Sequence, residues 1–157
     1  DIHSVRKILR LGFERVCIGD HYHHDPEFIR RLVVEFGSST ISILCNYIVS
    51  NGERLSWQKD RQTNNVINKK YLNDLSDTGV GEVVLYNISS DGQRSGFDTA
   101  ILTDLPDSTN WTLCGGAEDI NEVDSLLVRH PLVSFSAGSA FTLLKNNSVF
   151  LKYKKEL

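Results

Sequence analysis

The sequence predicts an α/β protein organised around a parallel sheet, and three observations carry that expectation. Apolar strand-like runs alternate with segments of helical periodicity along the chain, the pattern of a parallel sheet with crossover helices. The run Glu82 to Ile88 gathers Val83, Val84, Leu85 and Ile88, a short β-branched stretch that suits a central strand buried on both faces. Strand ends are followed by small-residue turns, Asp91-Gly92, Gly115-Gly116 and Gly138-Ser139, which permit tight bends and close backbone approach to a ligand.

The elements follow in order. Residues 1–11 place Ile2, Val5, Ile8, Leu9 and Leu11 on one helical stripe, which Gly12 ends. Glu14 to Gly19 is a short strand, and His21 to His24 a loop. Asp25-Pro26-Glu27 starts a helix with proline in the first turn, and Phe28, Ile29, Leu32, Val33 and Phe36 continue it to Gly37. Thr40 to Val49 is a long strand, Asn51-Gly52 turns a hairpin, and Arg54 to Gln58 folds back before the polar stretch Lys59 to Asn65. Val66 to Leu75 is the next helix, and Glu82 to Ile88 the strand after it. Asp98-Thr99 caps a helix that runs to Leu105 and stops at Pro106. Trp111 to Cys114 is a strand, Asp119 to Val128 an amphipathic helix and Leu132 to Ala137 a last strand, with a terminal segment through Leu157. Five strands and a leading helix result.

Length and composition set the class. At 157 residues the chain is one domain able to bury a core. A formal net charge of −3, with no Lys/Arg-rich run interleaved with aromatics, argues against nucleic acid as a partner. No apolar stretch reaches the roughly 18 to 20 residues that cross a bilayer, and nothing at the start resembles a signal peptide, so the expectation is a cytoplasmic protein. Position 1 is Asp and Met is absent throughout, which suggests a start that is not that of a reading frame. Cys17, Cys45 and Cys114 are an odd number in apolar runs and read as buried free thiols.

Side chains with chemistry sit mainly in the turns. In α/β proteins ligands occupy the crevice at the carboxyl ends of the strands, which makes Asp91 the first candidate. Read alone, Asp91 equally well caps the turn at Gly92. His21-Tyr22-His23-His24, beside Asp20, offers three imidazoles. Their spacing matches no standard zinc site, so no metal is expected. Trp57 and Trp111 read as packing residues.

Four motifs then appear in one order: Gly79-Val-Gly-Glu-Val-Val-Leu, Asp91-Gly92-Gln-Arg-Ser-Gly96-Phe-Asp98, Cys114-Gly115-Gly116-Ala117 and Ala137-Gly138-Ser139-Ala140-Phe141. In this the sequence resembles the cyclase subunit of imidazole glycerol phosphate synthase, a histidine-biosynthesis (β/α)8 barrel. The resemblance implies a partial (β/α)8 TIM barrel from helix 3 to helix 8, with five parallel strands and the first three strands absent, as one incomplete domain over residues 1–157. The Ala-Gly-Ser-Ala-Phe ending is similar to paralogues that pass ammonia from a glutaminase toward amidation of a surface-polysaccharide sugar.

The family's functional residues carry over position by position. Of its two facing catalytic aspartates, one matches Asp91, implying proton transfer as ammonia adds and the ring closes. A further functional aspartate is matched by Asn46, whose amide keeps the shape but accepts no proton. One phosphate site of the family matches Gly92, Gly115, Gly116, Gly138 and Ser139, where backbone N–H groups and a hydroxyl hold an anion. The other phosphate site is altered, with Gly19-Asp20 replacing its Asn-Thr. At the opposite end Arg15 and Glu82, with Glu14 beside them, match the charged ring at which ammonia enters from the glutaminase subunit. A plain surface ion pair is the other reading.

The resemblance thus implies a cyclase-subunit-like lyase, active if the missing strands are supplied, that uses glutaminase-derived ammonia on a phosphorylated substrate and needs no cofactor. The alternatives are the amidation paralogue and an inactive scaffold for a glutaminase. Two bare sheet edges invite self-association.

Overall fold

The computed structural model describes residues 1–58 and 65–138. Asp1 caps α1 (Ile2–Arg10), its carboxylate accepting from the Ser4 N–H at 2.8 Å. Gly12 then turns the chain at φ +94° into β1 (Val16–Ile18). Asp25 caps α2 (Pro26–Phe36) by accepting from the Phe28 N–H, and an Arg6–Glu35 ion pair ties α1 to α2. Next come β2 (Ile41–Ser50), the hairpin strand β3 (Glu53–Ser56), α3 (Lys69–Ser76), β4 (Glu82–Asn87), β5 (Asn110–Cys114), α4 (Ile120–Arg129) and β6 (Val133–Ser136).

The sheet order is β1-β2-β4-β5-β6, every neighbour parallel, with β3 antiparallel on β2. Each parallel strand lies beside the next in sequence, the winding of a (β/α)8 barrel, of which the described residues supply five strands. The outer face of the sheet carries the core. Ile41, Ile43, Cys45 and Tyr47 on β2 and Val83 and Leu85 on β4 are at most 1% exposed, and they cluster with Leu32, Leu72 and Leu126 from the helices. Burying each such leucine stabilises the fold by roughly 1.5–3 kcal/mol.

Several expectations need correcting. β4 is not buried on both faces: Val83, Leu85 and Asn87 are buried, but Glu82, Val84 and Tyr86 stay half-buried, because the inner face has no second layer among the described residues. The helix expected from Val66 begins only at Lys69, since Val66 bridges Leu55 of β3 and Asn68 caps the helix. Asp98 caps nothing. Residues Thr99–Asp104 form a 3-10 helix, and the Asp98 carboxylate takes both Nε and Nη2 of Arg54 at 2.6 Å instead. Only Cys45 is a buried thiol, Cys17 being exposed and Cys114 half-buried on the inner face. Trp111 is buried with its Nε1 donating to the Pro106 carbonyl, but Trp57 is 36% exposed. Strand β1 is shorter than Glu14 to Gly19, its pairing limited to Val16–Ile18.

Candidate functional site

Parallel register lines up inner-face side chains in rows across the sheet. The row nearest the carboxyl ends is Asn46, Tyr86, Cys114 and Ser136. Beyond it the turns after β4, β5 and β6 enclose a cleft of about 160 Å³ lined by Tyr86, Asp91, Cys114, Gly115, Gly116 and Gly138, among others. Asp91 thus meets two glycine turns in one small space. Gly92, at φ +69°, bends the chain just after Asp91 without lining the cleft, and Ser139 lies outside the described residues.

The glycines are required by backbone packing. At φ +90° a Cβ on Gly115 would stand 2.4 Å from the Asn87 carbonyl oxygen, and at φ +95° one on Gly116 would stand 2.4 Å from that of Gly96. Gly96 N–H in turn donates to the Gly116 carbonyl at 2.8 Å, locking the turn after β5 to the loop that carries Asp91. That loop is braced again by the Arg54–Asp98 pair, to which the Tyr47 hydroxyl donates at 3.2 Å.

Asn46 shares the row but presents its amide differently. Its Oδ1 is buried and has no hydrogen-bond partner among the described residues, while its main-chain carbonyl accepts from Trp57 N–H. Tyr86 is the functional candidate that sequence reading missed. Its phenol shares the cleft with Asp91, and the neighbouring carboxylate, ahead of burial, pushes its ionisation up to about 12. The available signal was the period-two pattern, which puts Glu82, Val84 and Tyr86 on one face.

At the amino ends of the strands, Arg15 Nη1 meets Glu82 Oε2 at 2.5 Å, and Glu82 Oε1 accepts from the Thr112 hydroxyl. Arg15 Nε also donates to the Ser39 carbonyl. Glu14 is exposed and forms no ion pair among the described residues. The histidine loop is a 3-10 turn in which His23 lies 3.9 Å from the buried Tyr22 ring and His21 stands edge-on to Phe28. Among the described residues no three His, Cys, Asp or Glu side chains are grouped to hold a metal.

A larger hollow of about 430 Å³ opens on the outer layer between Tyr22, His23 and α3. Its charged lining residues, Lys70 and Asp74, pair with each other. In this fold chemistry belongs at the carboxyl ends of the strands, which favours the smaller cleft as the site.

Sheet, cleft and ion pair together define a barrel-type α/β protein with opposed ends, a glycine-lined cleft at one and the Arg15–Glu82 ion pair at the other. The family model of histidine biosynthesis proteins matches residues 1–146, and the chain belongs to that family. A Pseudomonas aeruginosa protein named "Putative imidazole glycerol phosphate synthase subunit hisF2" is 29% identical over 157 residues, 97% of this chain and 62% of its own length. The imidazole glycerol phosphate synthase subunit HisF of Dictyoglomus thermophilum is 26% identical, covering 78% of this chain and 50% of itself. An imidazole-4-carboxamide isomerase of Clostridium acetobutylicum is 28% identical, covering 80% and 52%. The chain thus spans half to three-fifths of the length of these relatives.

Proposed function

We propose that this chain is the carboxyl-terminal five-eighths of a barrel acting as a cyclase-subunit-like protein, in the cytoplasm, on a phosphorylated substrate with ammonia from a glutaminase partner. The observation that carries this reading is the meeting of Asp91 with Gly115, Gly116 and Gly138 at one cleft. The turns would take a phosphate on their backbone N–H groups, Gly92 contributing through the bend it gives the Asp91 loop and the Ser139 hydroxyl as a further donor in this reading. Asp91 would move protons at the reacting carbon beside it. Ammonia would enter past Arg15, Glu82 and Glu14, where the relatives named as synthase subunits suggest a second subunit. No helix among the described residues is long and apolar enough to cross a membrane.

Cys114 lines the cleft and reports its occupancy. In a Cys17→Ser background, inorganic phosphate or a sugar phosphate should slow alkylation of Cys114 several-fold, and no protection by either would overturn the phosphate reading. Asp91→Asn should lower ammonia-dependent turnover by about 10²–10⁴-fold while sparing that protection.

Asn46 favours a second reading, the amidation paralogue, because an amide supplies no proton acceptor at that position. If Asn46→Asp creates ring-closing activity absent from the natural chain, the ammonia acceptor of the natural protein is a different molecule.

A further inference from the structure

Tyr86 reaches the cleft from the inner face of β4, between Asn46 and Cys114 in the register. Its ring leans on the bare Cα of Gly115, where a Cβ would stand 3.3 Å from Tyr86 Cδ2. The cleft therefore contains a phenol and the Asp91 carboxylate side by side, and the carboxylate holds the phenol's ionisation above its ordinary value. An anion resting on Gly115 and Gly116 would share about 160 Å³ with that carboxylate. Two negative groups in so small a space repel, and Asp91, exposed on its turn, would be driven out of the cleft by the anion unless something holds it.

We propose that Tyr86 is a positioning residue that lets Asp91 and a bound phosphate group occupy one cleft, its hydroxyl fixing the carboxylate and taking up part of its charge. The inference rests on the phosphate reading above and adds what makes that reading compatible with an acid in the same space. Asp91 and Cys114 are the titratable groups that face the phenol.

Four forms of the full chain test it: the natural protein, Tyr86→Phe, Asp91→Asn and the double variant, each titrated with inorganic phosphate by phosphorus NMR. Tyr86→Phe should weaken phosphate binding about three- to tenfold when Asp91 is present and change it less than about twofold in the Asp91→Asn background, since the coupling depends on the charge. Equal weakening in both backgrounds would make Tyr86 a packing residue only and overturn the proposal. A second measurement needs no phosphate. Asp91→Asn should bring the ionisation of Tyr86, identified by its loss in Tyr86→Phe, down from about 12 toward the ordinary 10.0. An unmoved titration would remove the pair itself. Absence of phosphate binding by the natural chain would overturn the phosphate reading and this inference with it, while the phenol titration judges the pairing separately.

Discussion

Cys45 sits beneath the helices on the outer face of β2, and burial pushes its thiol from the ordinary 9.0 up to about 11. Its neutral form is what the folded protein holds. The stability this provides is complete below pH 9 and is lost as pH rises through about 11, at roughly 1.4 kcal/mol per unit for one group. Tyr47 and Tyr71, raised chiefly by burial, extend the same loss above pH 10. Cys17 is raised from the same 9.0 by partial burial, so in a Cys17→Ser background chemical denaturation between pH 8 and 12 should show stability declining from about pH 9, and adding Cys45→Ala should delay that onset to about pH 10. An onset unchanged by the substitution would assign the alkaline loss to the tyrosines alone. Residue identity was legible in the sequence where the partner is local and illegible where it is distant. Asp25 and Asp119 cap the helices that follow them, whereas Asp98 meets Arg54 from 44 residues away, and no local pattern announces that. Tyr86 was overlooked because an aromatic in an apolar strand reads as core.

Elements followed their sequence signals closely where periodicity was strong, as in α2, β2 and α4, while their ends and coverings depended on neighbours. The hydrophobic run of β4 marks a strand but not what lies over it, so the half-buried inner face went unread. The hairpin β2–β3 shows what the tertiary fold adds. Arg54 on β3 and Asp98 in the loop after β4 are 21% and 14% exposed at their side chains and make two charge-assisted bonds. Arg54→Met should cost about 1.5–3 kcal/mol in denaturant unfolding. Faster hydrogen exchange is expected at Glu53–Ser56 and in the Asp91 loop, with β5 and β6 unchanged. Uniform acceleration across the sheet would show a global loss instead of a released brace. Gly116→Ala should destabilise by at least about 2 kcal/mol, since it strains a positive φ and drives a methyl into the Gly96 carbonyl.

At the scale of the molecule, β1 and β6 are sheet edges, each paired on one side only among the described strands. Near them Leu11 and Phe13 are 70% and 61% exposed, and Val128 and Leu132 each 82%. Bare edges beside apolar side chains favour pairing with another strand. The chain by itself should associate with increasing concentration in sedimentation and bind an apolar dye, and a monomer without dye binding would rule this out. The ends of the sheet also differ in kind: Glu82 and Tyr86 lie four residues apart on β4, a separation of about 13 Å between the Arg15–Glu82 pair and the cleft. Finally, Gly115 and Gly116 are held small by carbonyl oxygens 2.4 Å from where a side chain would begin. A descendant of this protein that abandoned its ligand would retain both glycines merely to keep its loops apart, so it is the freely exchangeable neighbours, Asp91 and Tyr86, whose replacement would betray the change of trade.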